Sequence, residues 1–232
     1  MAIYITGDTH GHIDIGKLSV KRWPEQKNLT KDDHLIVLGD FGCVWYGNQQ
    51  DDYWLDWLED KPFTTLFIPG NHENYDLLKQ YPPAQYKEGI VRMIRPHVLM
   101  LQRGCIYNID GKEFYCMGGA SSHDKIYRKE GFSWWKEELP SQAELQLSES
   151  LLNMMGRKVD YVLTHCAPDS VQKQIASWYE HDMLTNYLEH NIRKQVDFKA
   201  WFMGHYHIDR TYYDDQNRPF HVLYDEIMKL EE

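Results

Sequence analysis

The feature that most restricts how this chain can fold is a pattern that occurs five times. A short apolar run ends in a tight turn, and the turn or the residue after it carries Asp, Asn or His. Ile3-Tyr4-Ile5-Thr6 leads into Gly7-Asp8-Thr9-His10-Gly11, and Leu35-Ile36-Val37-Leu38 into Gly39-Asp40. Thr65-Leu66-Phe67-Ile68 leads into Pro69-Gly70-Asn71-His72, Tyr161-Val162-Leu163 into Thr164-His165, and Trp201-Phe202-Met203 into Gly204-His205-Tyr206-His207. Apolar runs this short, bounded by Gly and Pro, read as buried strands. Helical patterns lie between them. Asp51 to Glu59 places Trp54, Leu55 and Leu58 at helical spacing, and a third helix is expected over Asp182 to Gln195. Ser141-Gln142-Ala143-Glu144 is a capping-box signature opening a helix towards Met155. Asp214-Asp215-Gln216-Asn217 reads as a turn between final strands at Arg210 to Tyr213 and Phe220 to Leu223. With no internal repeat or linker, the expectation is one α/β domain over residues 1–232.

Ligand sites in open α/β sheets collect beyond the carboxyl ends of the strands. Five strand ends that each deliver a metal-binding residue type therefore point to one shared site. Asp8 and His10 are two residues apart, so an extended segment sends them to the same side. His205 and His207 repeat that spacing, and Asp40, Asn71 and His165 complete the set. Two carboxylates, one amide and four imidazoles suit manganese, iron, zinc or a similar ion. Seven donors exceed what one catalytic ion takes, because such sites keep a position open. Two ions about 3.5–4 Å apart and sharing a carboxylate account for the number.

These residues resemble the five ordered blocks of the calcineurin-like metallophosphoesterases: Gly7-Asp8-Thr9-His10-Gly11, Gly39-Asp40, Gly70-Asn71-His72-Glu73, His165 and Gly204-His205-Tyr206-His207. The resemblance implies a two-sheet β-sandwich flanked by helices, with the metal site at the strand C-terminal ends. It implies that Asp8, His10 and His207 hold one ion, that Asn71, His165 and His205 hold the other, and that Asp40 bridges both. The cofactors it implies are two divalent metal ions, manganese first, with iron, zinc, nickel or cobalt as alternatives. Two cations sharing a water lower its pKa and neutralise phosphoryl oxygens, so a bridging hydroxide becomes the nucleophile. His72 would face the substrate and serve catalysis beside Asp40.

The second block departs from the protein Ser/Thr phosphatases of that family, whose motif continues G-D-x-x-D-R-G. Cys43 stands in place of the acid that would orient His72, and Val44 in place of a phosphate-gripping Arg. Glu73 or another acid is then needed to orient His72. The Gly-rich segment Gly118 to Asp124, with His123, and Arg128 after it either supply a substitute phosphate grip or form a strand end followed by a surface loop; Asn71 and His72 are the other candidate substrate contacts. Trp45, Tyr46, Trp134 and Trp135 either stack on a substrate ring or pack a loop onto the body. Cys166 reads as a small buried residue, and His12, His34, His97, His181, His190 and His221 match no block.

Composition narrows the partners. The formal charge of −10 and the lack of a basic run argue against extended duplex nucleic acid, while leaving room for a short single strand or a small phosphorylated substrate such as a nucleotide. Four widely spaced cysteines suit reduced thiols, no apolar run approaches a membrane span, and the first residues do not form a signal peptide, so the expected location is cytoplasmic. The expected function is hydrolysis of phosphomonoesters or phosphodiesters. The alternatives are a nuclease acting on short single strands and an inactive interaction scaffold. The sequence leaves the oligomeric state open.

Overall fold

The computed structural model describes residues 1–176 and 181–231. The first six strands, β1 (Ile3–Thr6), β2 (His34–Val37), β3 (Thr64–Phe67), β4 (Pro83–Tyr86), β5 (Gly89–Arg95) and β6 (Val98–Leu101), lie in one sheet. The next six, β7 (Ile106–Ile109), β8 (Lys112–Met117), β9 (Tyr161–Thr164), β10 (Ala200–Met203), β11 (Arg210–Tyr213) and β12 (Pro219–Val222), form the other. The last strand, β13 (Ile227–Lys229), returns to the edge of the first sheet. The strand orders are β13-β1-β2-β3-β6-β5-β4 and β11-β12-β10-β9-β8-β7. Each sheet has a parallel centre, β1-β2-β3-β6 or β12-β10-β9-β8, with antiparallel strands at its margins.

Strands β1, β2, β3, β6, β9 and β10 are buried along their whole length and mostly apolar, because both of their faces are covered. Successive side chains alternate between faces. Ile3, Ile5, Ile36 and Leu66 of the first sheet meet Phe114, Cys116, Leu163 and Phe202 of the second in the core between the sheets. The opposite face of the first sheet, with Tyr4, Leu35, Val37 and Phe67, packs against Leu55 and Leu58 of helix α1 (Gln49–Glu59). The short helix α2 (Tyr75–Leu78) follows β3. The outer face of the second sheet, with Tyr115, Val162, Trp201 and Phe220, is covered by α3 (Gln142–Met154), α4 (Asp169–Ile175) and α5 (Met183–Tyr187). The result is the expected sandwich flanked by helices.

The capping box is present: the Ser141 side chain accepts from Glu144 N, and the Glu144 carboxylate accepts from Ser141 N at 2.7 Å. The helix expected over Asp182 to Gln195 is in two parts. Asp182 caps α5 through its side chain, and the chain then widens into a π-helix over Leu188–Arg193. The hairpin of β11 and β12 is present and antiparallel, with its second strand at Pro219–Val222, one residue earlier than expected. No described helix is long and apolar enough to cross a membrane.

Candidate metal centre

The parallel centres of the two sheets put their carboxyl ends along one side of the sandwich. Asp8 and His10 follow β1, Asp40 follows β2 and Asn71 follows β3; His165 follows β9, and His205 and His207 follow β10. All seven candidate donors meet there. Asp40 Oδ2 lies 3.4 Å from His10 Nε2, while its Oδ1 lies 3.2 Å from His165 Nε2. His165 Nε2 is 3.1 Å from Asn71 Oδ1. Asp8 Oδ2 is 3.1 Å from His207 Nε2, and the His207 and His10 rings meet edge-on at 5.0 Å. The His205 ring meets His165 at 4.9 Å.

Two sets have donor atoms all within 4.8 Å of one another: Asp8, His10 and His207, and Asp8, Asp40 and His165. Asp8 is common to both. Asp40 turns one oxygen towards each half.

Extended backbone is not what brings the paired donors together. His10, Asp40, His205 and His207 have φ of 42°, 45°, 70° and 52°, in the left-handed region. Such residues cost about 1–3 kcal/mol each and cluster at functional sites; His and Asp are among the side chains that enter this region most readily. Two glycines leave the space the carboxylates use. A Cβ on Gly70 would lie 2.1 Å from Asp40 Oδ1, and one on Gly204 would lie 2.2 Å from Asp8 Oδ1.

Groups behind the donors fix their orientation. Asp14 Oδ2 is 2.8 Å from His10 Nδ1, leaving Nε2 towards Asp40. The Leu38 carbonyl is 2.6 Å from His165 Nδ1. Asp40 Oδ1 accepts from His72 N at 2.7 Å, and Asp8 Oδ1 from His205 N at 2.9 Å. The Ser122 backbone N–H donates to the buried carboxylate of Glu138 at 3.1 Å, and Ser122 Oγ accepts from Asn71 Nδ2 at 3.1 Å. That direction turns the Asn71 carbonyl oxygen towards His165.

Burial raises the pKa of Asp40, but His165 and His10 hold its carboxyl well below the usual range. Both imidazoles are pushed up to about 9, because the carboxylates beside them outweigh the burial that disfavours their charge. His205 goes down to about 3, through burial and then the neighbouring His165.

The sequence profile of the calcineurin-like phosphoesterases matches residues 1–209. The chain belongs to that family. Membership makes it a phosphoesterase, and metal dependence is general to the family. Among curated proteins, none matches. Among solved structures, the chain is similar to a phosphopantetheinyl hydrolase from Mycobacterium tuberculosis, with 16% identity, 97% of this chain and 90% of that one covered, and a TM-score of 0.44. The calcineurin-like phosphoesterase YfkN from Bacillus subtilis is 11% identical over 100% of this chain and 85% of that one, with a TM-score of 0.44. A Staphylococcus aureus protein provisionally named a 5′-nucleotidase is 16% identical, with a TM-score of 0.49; 96% of this chain covers 48% of it.

The residues present fit the metals that the family implies. Asp8 and Asp40 are almost fully buried, and Asp8 Oδ2 has no hydrogen-bond partner of acceptable geometry. Two buried carboxylates with an orphaned oxygen, ringed by imidazoles and an amide, form a donor set for divalent cations.

The substrate-facing half departs from expectation. Glu73 does not orient His72: its carboxylate accepts from Phe41 N at 2.7 Å, Gly70 N at 3.4 Å and Gly42 N at 3.5 Å, tying the loops after β2 and β3 together. Burial and then Asp40 push its pKa up to about 8. Arg128 is the group on His72, with Nη1 3.0 Å from Nδ1 and Nη2 3.3 Å from Nε2. Asp124 holds Arg128 Nε at 2.7 Å, and the Ser133 carbonyl accepts from Nη1 at 3.1 Å.

The Gly-rich segment offers a poorer anion cradle than its composition suggests. Gly119 N donates to the Pro69 carbonyl at 2.8 Å and Ser122 N to Glu138, so both amides are already used. His123 lies near the site, its ring 6.1 Å from that of His205. Cys43 and Val44 are buried in the outer core of the first sheet, and neither carries the charge of the missing acid and Arg. Cys166 is buried, as expected.

The aromatics divide. Trp135 is buried and donates to Asp76 at 2.8 Å, and Trp134 lies under Lys125, whereas Trp45 and Tyr46 border a small cavity that His72 also lines. One supporting residue was missed. The buried ammonium of Lys17 donates to the carbonyls of Gly7, Asp8 and Tyr224, pinning the first metal-site loop to the C-terminal segment. Nothing in its local sequence distinguishes it from a solvated lysine.

Proposed function

We propose that this protein hydrolyses small phosphate esters, nucleotides among them, using two divalent ions. Asp8, His10 and His207 hold one ion, Asn71, His165 and His205 hold the other, and Asp40 spans them. The observation that carries this reading is the division of Asp40, one oxygen facing His10 and the other His165. Manganese is the first choice of metal for this mixed oxygen and nitrogen set. When bound, the ions supply positive charge against the phosphoryl oxygens and lower the pKa of a water.

The chain's own residues do the rest. Burial lowers the pKa of His72, keeping its imidazole neutral and able to exchange a proton with the leaving oxygen. Arg128 carries a planar guanidinium beside His72, suited to two phosphoryl oxygens at once. Phosphate binding therefore exchanges the contact with His72 for one with the substrate. Residues 1–232 act as one catalytic unit in this reading. Four free, buried cysteines support a reducing compartment such as the cytoplasm.

Metal analysis after reconstitution with manganese tests the centre, with two ions per chain expected. Asp40→Asn should cut turnover of p-nitrophenyl phosphate and of its bis-ester by roughly a hundredfold or more, the scale of losing a preorganised electrostatic contact. Unchanged activity in that variant would remove the bridging role.

A further inference from the structure

The site has two flanks, and each opens into its own cavity. The residues are linked by successive contacts. His72 meets His10 ring to ring at 5.9 Å; Asp40 spans His10 and His165; His165 meets His205 at 4.9 Å, and His205 lies 6.1 Å from His123. At the His72 end lies a cavity of about 140 Å³ lined by His10, His12, Ile13, Trp45, Tyr46 and His72. At the His205 end lies one of about 480 Å³, lined by Ser121, Ser122, His123, Lys125, Gln172 and His205 among others. The two share no lining residue.

Their chemistries differ. In the small cavity Tyr46 is 54% exposed and Ile13 70% exposed, and Trp45 is braced edge-on against Trp135 at 5.7 Å. That is a shelf for one flat ring, smaller than the roughly 300 Å³ at which drug-sized pockets begin. The large cavity carries hydroxyl, amide, imidazole, ammonium and carboxylate groups, with Ala120 and Cys166 as its apolar part, and these match a sugar or a comparable polyhydroxylated group.

A monoester has one substituent on phosphorus and fills one flank. A diester has two. From this geometry we infer that the natural substrate is a phosphodiester, with a flat aromatic arm on the His72 side and a polar, hydroxyl-bearing arm on the His205 side. The inference rests on the phosphoesterase reading above and narrows it. In the reaction a water oxygen bonds to phosphorus and the P–O bond to the arm beside His72 breaks. That arm leaves as an alcohol or phenol carrying one proton of the water. The phosphate stays on the other arm as a monoester.

Three substrates with one leaving group test this on the manganese-loaded full chain: the p-nitrophenyl ester of thymidine 5′-monophosphate, methyl p-nitrophenyl phosphate, and p-nitrophenyl phosphate. The expected order of kcat/KM puts the thymidine diester first, about tenfold or more above each of the others. Tyr46→Ala should lower its kcat/KM about tenfold, mainly through KM, the effect of one lost ring stack. Ser121→Trp, which fills the polar cavity, should bring the thymidine diester down to the level of the methyl diester. A preference for p-nitrophenyl phosphate overturns the inference, as do equal values for the two diesters. The wild-type ranking decides even if Ser121→Trp folds poorly. No turnover of any of the three substrates removes the phosphoesterase reading itself, a result distinct from a reversed ranking.

Discussion

At the scale of single residues, conformation and ligation select the same side chains. His10, Asp40, His205 and His207 sit where φ is positive, and a β-branched or bulky apolar replacement there would lose a donor and gain strain at once. The glycines are selected by closeness. Gly70→Ala puts a methyl group 2.1 Å from Asp40 Oδ1, in a loop tied to Glu73 and Tyr75, so the carboxylate must move. Turnover should fall at least about tenfold with metal content reduced, since small misplacements of reacting groups are costly; wild-type metal content and rate would contradict the close approach. Ser122 tests orientation without replacing a candidate donor. Removing its hydroxyl leaves the Asn71 amide free to flip, and Ser122→Ala should weaken manganese binding about 10–100-fold by calorimetry, the usual cost of losing an outer-shell partner. Ser122→Thr keeps the hydroxyl and should restore most of the affinity.

At the scale of elements, local signals and tertiary ones separate cleanly. The Ser141–Glu144 box is wholly local, so Ser141→Ala should cost about 1 kcal/mol and lower Tm by about 2–4 °C in a chain of this size. A melting curve checks it, with activity retained because α3 lies on the outer face of the second sheet. The same locality explains what the sequence disclosed. β1, β2, β3, β9 and β10 are mostly apolar, buried on both faces and end in Gly-bearing or polar turns, so five strand ends and the seven candidate donors could be read directly. The β4-β5-β6 margin could not. Pro83 to Tyr86, at the sheet edge, alternates exposed and half-buried positions, and Gly89 to Arg95 beside it mixes charges with apolar residues. The contact between Arg128 and His72 spans 56 positions, and the work of Glu73 on Phe41 spans 32. No spacing rule reaches that far. The Gly-rich segment shows the opposite case: its composition is compatible with a nest, but tertiary carbonyl and carboxylate partners take the amides of Gly119 and Ser122.

At the scale of the whole molecule, acid should destabilise the fold through groups remote from the site. Glu189 is buried against Arg193, 2.7 Å from Nη2 and 2.9 Å from Nε, and accepts from Ser170. Burial disfavours its charge, yet these partners hold its pKa down at about 2. Its contribution is complete above the ordinary value of 4.5 and is lost as pH falls from there towards 2. His34, buried and 2.6 Å from the Tyr86 hydroxyl, is held at about 4, mainly by burial. Below its ordinary 6.5 the unfolded chain takes up a proton that the folded chain refuses, so stability falls from pH 6.5 to about 4 and then levels. Denaturant midpoints should decline through both windows, and His34→Gln should flatten the upper one; an unchanged slope there would discount His34. Metal adds its own increment. A ligand at a hundred times its dissociation constant contributes about 2.7 kcal/mol, so chelation should lower Tm by several degrees and restored manganese should recover it.

The pairing of sheets at the centre also bears on how the protein is made. Asp8, His10, Asp40 and Asn71 come from the first half of the chain and His165, His205 and His207 from the second; contact between Asp8 and His205 closes a span of 197 positions. Each close donor set draws on both sheets. A ribosome must therefore deliver the turn after β9 before the Asp8, Asp40 and His165 set is complete, and the turn after β10 before the Asp8, His10 and His207 set is. During synthesis the growing chain carries carboxylates and imidazoles but no finished nest for an ion, and metal capture becomes a late event that reports the docking of the second sheet onto the first.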